Sequence, residues 1–195
     1  QDVWVFTGSV VRGPDAFHIF YTGHNGHFYN TPKPVQAVLR ATSPDLRTWS
    51  KDPDLFFLAP TDRYEKDDWR DPFVFWNEEA EEYWMLLAAR KREGPSRNRG
   101  LTALAASKDL TRWEVREPFW APDEYFTHEC PDLFRMGDWW YLAYSTFSER
   151  SVTHYRMSRS LRGPWLAAAN DTFDGRAYYA AKTAADEMGR RYIFG

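Results

Sequence analysis

A short segment that returns along the chain constrains the fold more than any other feature. ATSPDLRTW (41–49) recurs as AASKDLTRW (105–113) and, more loosely, as RMSRSLRGPW (156–165). Recurrence at roughly fifty to sixty residues is the signature of a repeat architecture in which each copy is one supersecondary unit. Every copy has the same neighbours. Upstream lies an apolar strand signal and then an aromatic second strand: GSVV with AFHIFYTG, DPFVFW with EEYWMLLAA, and CPDLFRM with DWWYLAYS. The period is two, and the pairs are joined by turn chemistry at Arg12-Gly13-Pro14-Asp15, Asn77-Glu78-Glu79 and Met136-Gly137-Asp138. A third strand follows (AVLRATS, LTALAAS, THYRMS), then a Ser-x-x-Leu turn and a short fourth strand led by Trp49, Trp113 or Trp165.

Four antiparallel strands per unit at this spacing describe the blade of a β-propeller. The expectation is therefore an all-β chain with units at 7–51, 71–115 and 130–168, and an incomplete one at 174–195 that runs through DGRAYYAAKTA to RRYIF. Roughly three and a half blades leave sheet edges open, and a propeller removes its edges by closing. The chain thus reads as part of a ring completed by a further segment or a second chain. The charged stretch KREGPSRNRG (91–100) reads as a hairpin tip, and no second domain is visible. The recurring tryptophans suit packing between blades.

Composition narrows the ligand. Aromatic residues make up 18% of the chain, which suits strands and flat stacking surfaces. A formal net charge of −3 and a pI near 6.0 give no electrostatic reason to expect nucleic acid or an anionic membrane, whereas a neutral polar ligand fits. Cys130 is the single cysteine, so there is no disulfide framework and no multi-thiolate metal site. No metal or other cofactor is expected: His24 and His27 flank Asn25-Gly26 as a hairpin tip would, and the basic run Lys91, Arg92, Arg97, Arg99 lacks interleaved aromatics. No apolar run reaches transmembrane length, and Gln1 starts mid-pattern with no leader-like region, so the compartment is not legible.

Inner strands of a propeller line its channel, so residues that introduce them converge from distant parts of the chain. WRDPF supplies Trp69, Arg70 and Asp71, and HECPD supplies His128, Glu129 and Cys130. Two carboxylates across a polar ligand are what glycoside hydrolysis requires, with about 5–5.5 Å between acid and nucleophile in retaining enzymes. Glu129, next to Cys130, Pro131 and an apolar run, is placed for a raised pKa, as a general acid needs. Arg70 holds Asp71 ionised, which suits binding hydroxyls or stabilising positive charge. Taken alone, Glu129 also fits a turn cap or a partner for His128, and Asp71 a strand-entry residue ahead of proline. Cys130 has no base or orienting group to make it a nucleophile.

Three motifs in order, FTGS (6–9), WRDPF (69–73) and ECPDLF (129–134), with a weaker FDGRAYYA (173–180), resemble glycoside hydrolase family 32, the invertase, levanase and inulinase family. The resemblance spans nearly the whole chain. It implies a five-bladed propeller that cleaves β-linked fructosyl residues with retention and without cofactor, acting on sucrose, levan or inulin type substrates. Carried over, Glu129 is the acid/base and Asp71 the transition-state stabiliser. Arg70 braces the sugar hydroxyls, with Phe6, Thr7, Ser9, Trp69, His128, Asp174 and Tyr179 as the other substrate-binding candidates. Thr7 stands where the family usually has serine, and His128 where it usually has tryptophan. The family nucleophile lies on a first blade well upstream of FTGS, so Asp2 is not that residue. The chain is expected to cover blades two to four, without the nucleophile, the fifth blade or the β-sandwich usually appended, and to be inactive alone. A family 43-like arabinosidase or xylosidase, for which SRSLRGPW suits as well, and a non-catalytic carbohydrate-binding propeller are the alternatives.

Overall fold

The computed structural model describes residues 2–173 and 177–195. Thirteen strands form four antiparallel sheets. The first joins β1 (Trp4–Arg12), β2 (Phe17–His24), β3 (Gln36–Ser43) and β4 (Ser50–Lys51) in sequence order. The second repeats the arrangement with β5 (Tyr64–Asn77), β6 (Glu82–Lys91), β7 (Gly100–Ser107) and β8 (Glu114–Val115). The third holds β9 (Glu129–Met136), β10 (Trp139–Thr146) and β11 (Val152–Ser158), and the fourth pairs β12 (Lys182–Ala185) with β13 (Arg191–Phe194). The first strands of the sheets are neighbours: β1 lies against β5, β5 against β9, and β9 against β12. The sheets are consecutive blades of a β-propeller.

The repeated turn has a physical basis. Ser43 Oγ accepts from Asp45 N (3.2 Å), while Asp45 Oδ1 accepts from the backbone of Arg47 and Thr48 (2.9 and 2.8 Å). Ser107 and Asp109 reproduce this on Thr111 and Arg112. Local carboxylate-to-backbone bonds of this kind replace ladder bonds at a reversal, and they carry Leu46 and Leu110 into left-handed φ of 62° and 60°. In the third copy Ser160 stands in the aspartate's place. It still accepts from Arg162 N, but the left-handed residue moves to Gly163. The fourth strand expected after Trp165 contracts there to one bridge, Met157 to Leu166.

Strands of the second sheet are buried on both faces, so alternate residues enter different cores. Met85 and Leu87 of β6 join Phe20, Val38, Trp69, Leu101 and Leu110 between the first two sheets. Leu86 joins Leu104, Leu133 and Leu142 between the second and third. Each fully buried leucine contributes about 1.5–3 kcal/mol through area removed from water. The tryptophans sit at these junctions. Trp113 packs edge-on against Phe20 at 5.4 Å, and Trp165 packs against Phe119 at 5.5 Å. Trp49 instead faces the outer side of the first sheet with Ile19 and Tyr21. A hollow of about 470 Å³ opens there, with Val5, Phe6 and Val10 among its walls.

Candidate active site

The inner strands β1, β5 and β9 each break register. The ladder between β1 and β2 slips between Phe6 and Gly8, that of β5 and β6 between Arg70 and Phe73, and that of β9 and β10 between Glu129 and Asp132. Phe6, Arg70 and Glu129 therefore occupy equivalent places, each followed by an extra residue. Asp71 and Cys130 hold left-handed φ of 57° and 51°, and Ala180, after Tyr179, repeats it at 56°. Prolines 72 and 131 favour the break because they have no N–H for the ladder.

Hydrogen bonds between blades lock the bulges. Asp71 N donates to Thr22 Oγ1 at 2.7 Å, and Thr22 Oγ1 donates to the Thr7 carbonyl at 3.2 Å. Ala180 N donates to Ser145 Oγ at 3.0 Å. Thr22 and Ser145 face Phe6 and Glu129 in the ladder, while Ala88 faces Arg70. An alanine offers no acceptor, and Cys130 N donates instead to Asp71 Oδ2 at 3.0 Å.

Arg70 organises the acids. Its Nη2 and Nε donate to Glu129 Oε1 at 2.7 and 3.2 Å, its Nη1 to Asp68 Oδ1 at 2.6 Å, and its Nε lies 3.8 Å from Asp71 Oδ2. Arg70 and Asp71 are 6% and 3% exposed, so these charges act with little solvent screening. Burial opposes the charge on Arg70, but Asp71, Asp68 and Glu129 together hold its pKa above the ordinary value. Burial raises the Glu129 pKa; Arg70 opposes the rise, and Asp71 and Asp68 add to it. The cluster offers a proton donor of raised pKa beside a buried carboxylate and a fixed cation.

Other expected residues divide by exposure. Phe6 is 42% exposed and stacks on His24 at 4.5 Å. Thr7 Oγ1 lies 3.3 Å from Cys130 Sγ, joining the first and third sheets across the channel. Ser9 Oγ donates to the Pro72 carbonyl and accepts from Val74 N, both at 2.9 Å, so it clasps the bulge that carries Asp71. Tyr179 is half-buried, and Asp174 lies outside the described residues. Trp69 and His128 are fully buried, one place before Arg70 and Glu129, and are turned away from the surface. Trp69 packs on Phe57 and Tyr64. His128 packs on Trp120 and Tyr144, and burial pulls its pKa down to about 3. Burial pushes the Cys130 thiol pKa up, which removes its nucleophilic form.

Several members of the cluster carry no motif. Gln36 Oε1 accepts from Trp69 N and Arg70 Nη1 at 3.2 and 3.3 Å. Asp68 is shared with Arg90 at 3.4 Å, and Arg90 also meets Glu65 at 2.8 Å and the Phe126 carbonyl at 2.6 Å. Only the acid-rich run EKDDWRD hints at them. Among the described residues no group of three or more His, Cys, Asp or Glu is placed to hold a metal ion, and no helix is long and apolar enough to cross a membrane.

Comparison with known proteins decides the family. The model of the glycosyl hydrolases family 32 N-terminal domain matches residues 1–195. The chain belongs to this family. It is similar to a sucrose-6-phosphate hydrolase of Escherichia coli, 28% identical over 208 residues, which cover 97% of this chain and 41% of that protein. The curated relatives it matches are longer, and the chain spans 16–41% of their length. The fold is similar to that of fructan 1-exohydrolase IIa from Cichorium intybus, with a TM-score of 0.71, 18% identity, and coverage of 99% of this chain and 40% of that one. A xylan beta-1,4-xylosidase from Bacillus halodurans has the same TM-score at 13% identity, covering 99% and 37%. Family 32 propellers thus share their fold with a xylosidase.

Proposed function

We propose that the protein containing this chain is a β-fructosidase that cleaves sucrose, levan or inulin type bonds with retention of configuration. The observation that carries the reading is Arg70 joined to both Glu129 and Asp71 at the bulges of adjacent inner strands. Glu129, raised by burial, gives its proton to the glycosidic oxygen as that bond breaks, and later takes one from the water that releases the sugar. Asp71 accepts from sugar hydroxyls and stabilises the positive charge that develops on the ring. Arg70 holds both acids in place. Phe6, Thr7 and Tyr179 border the bound sugar, while Ser9, Trp69 and His128 brace the inner strands from behind.

The carboxylate that attacks the anomeric carbon belongs, on this reading, to a further blade. Support comes from the uncovered side of the first sheet, where Val5 and Val10 are 61 and 46% exposed beside the hollow that Ile19, Tyr21 and Trp49 help to line, in a position that β5 and β9 cover with a neighbouring sheet. Residues 1–195 by themselves would then show no turnover. The test uses the complete protein on sucrose, inulin and levan, with Glu129→Gln as the variant. Loss of turnover by about 10²–10⁴-fold with sugar binding retained is expected. A variant that turns over normally ends the acid/base assignment. Binding without turnover in the unmodified protein favours a carbohydrate-binding propeller, and cleavage of arabinosides or xylosides alone favours the family 43-like alternative.

A further inference from the structure

We propose that Lys182 is a positioning residue for the chemistry at Glu129: from the fourth sheet it grips the backbone of the bulge that presents Glu129 to the channel. The inference rests on the functional reading above and adds a residue to it. Lys182 Nζ donates to the Pro131 carbonyl at 2.7 Å, a carbonyl in the bulge where Cys130 and Pro131 leave the β9–β10 register. The second blade is built alike. There Ser9, from the other neighbouring sheet, donates to the Pro72 carbonyl at 2.9 Å. At the β5 and β9 bulges alike, the carbonyl of the proline after the left-handed residue is thus held by a side chain from an adjacent blade.

A lysine is a costly choice for such a bond, because a hydroxyl would serve without bringing a charge inside. Lys182 is only partly buried as a residue, yet its ammonium lies deep enough that burial lowers its pKa, and it sits 5.2 Å from the centre of the Phe73 ring. The groups that face it are Asp132 and Cys130 of β9 and Asp71 of β5. Asp132 itself accepts from Thr183 N at 3.1 Å and Thr183 Oγ1 at 2.7 Å. The junction of the third and fourth sheets would therefore hold without the lysine. What the lysine alone supplies is a cation fastened to the Pro131 carbonyl, two residues from Glu129.

The experiment compares Lys182→Met, Lys182→Arg and Thr183→Val in the complete protein, reading kcat, KM and thermal midpoint on sucrose. Displacement of a reacting group by about 1 Å costs up to about a hundredfold in rate. Lys182→Met is expected to lower kcat about ten- to a hundredfold with KM within about threefold, and Lys182→Arg to restore most of it. Thr183→Val, which weakens the same junction, is expected to lower the midpoint and leave kcat unchanged. A Lys182→Met protein with unaltered kcat overturns the inference, as does loss of kcat in both variants in step with their midpoints. Lys182→Gln, which keeps a donor without the charge, supplies the same comparison if the methionine variant does not accumulate. An unmodified protein inactive on every fructoside defeats the functional reading, and this inference with it.

Discussion

Replacing Arg70 by methionine gives the sharpest test of the cluster. The guanidinium is 8% exposed and makes contacts of 2.6 Å to Asp68 and 2.7 Å to Glu129, with Asp71 at 3.8 Å. Removing one partner from a buried ion pair costs about 3–5 kcal/mol, because the remaining charge is left without compensation. Asp68 keeps Arg90 at 3.4 Å, so the loss falls mainly on Glu129 and Asp71, and about 3 kcal/mol is expected at pH 7. The pH dependence has a definite sign. Burial already raises the Glu129 pKa above 4.5 and Arg70 is what opposes it, so the variant raises it further. A carboxyl with a raised folded pKa binds a proton more readily in the native state, so stability falls as pH rises through the interval from 4.5 to that folded pKa. The variant's deficit is therefore full at pH 7 and shrinks as pH drops toward 4.5. Urea unfolding of the complete protein and of Arg70→Met at several pH values measures both quantities. A deficit under 1 kcal/mol at pH 7, or one that grows on acidification, refutes the arrangement described here.

Three further outcomes follow from the same contacts. Asp71→Asn keeps an oxygen for Cys130 N but loses the charge, so it should unfold within about 1 kcal/mol of the parent protein and lose turnover. Asp71→Ala loses the acceptor as well, and the N–H left buried should cost a further 1–3 kcal/mol or so in the same urea titration. Cys130, buried and with its thiol pKa pushed up, should resist iodoacetamide at pH 8 in the folded protein and react fully in urea. Rapid native labelling would show that the bulge opens.

The repeats were legible because their turns are local. Ser43 with Asp45 and Ser107 with Asp109 close their own reversals, and period-two hairpins lie on either side. The shortened fourth strand of the third sheet was not legible, since RGPWLAA keeps the tryptophan and changes only what surrounds it. At the site, Arg70, Asp71 and Glu129 were found through motif and order. Thr22, Gln36 and Lys182 were not, because an ordinary threonine, glutamine or lysine gains its role only from a bond to a strand in another sheet. Trp69 and His128 show the converse limit. They adjoin functional candidates in sequence, and strand alternation turns them to the opposite side.

The motifs around Asp71 and Cys130 are therefore bulge motifs before they are chemical ones. An L-residue at left-handed φ costs about 1–2 kcal/mol, and Asp71 and Cys130 repeat that strain within two inner strands, with Ala180 repeating it two residues before a third. Strain of this kind persists only where surrounding bonds over-determine it, and Thr22, Asp71 and Ser145 each supply one such bond to the N–H of a left-handed residue. The bulge re-aims the residue before it, which is Arg70 or Glu129. On the proposed reading chemistry depends on what occupies that one place, where Arg70 and Glu129 put a cation against an acid of raised pKa. Asp71 is the exception that ties frame to function. Because Ala88 has no hydroxyl, a carboxylate does the work of the missing acceptor, and its charge comes to the mouth of the site as a result.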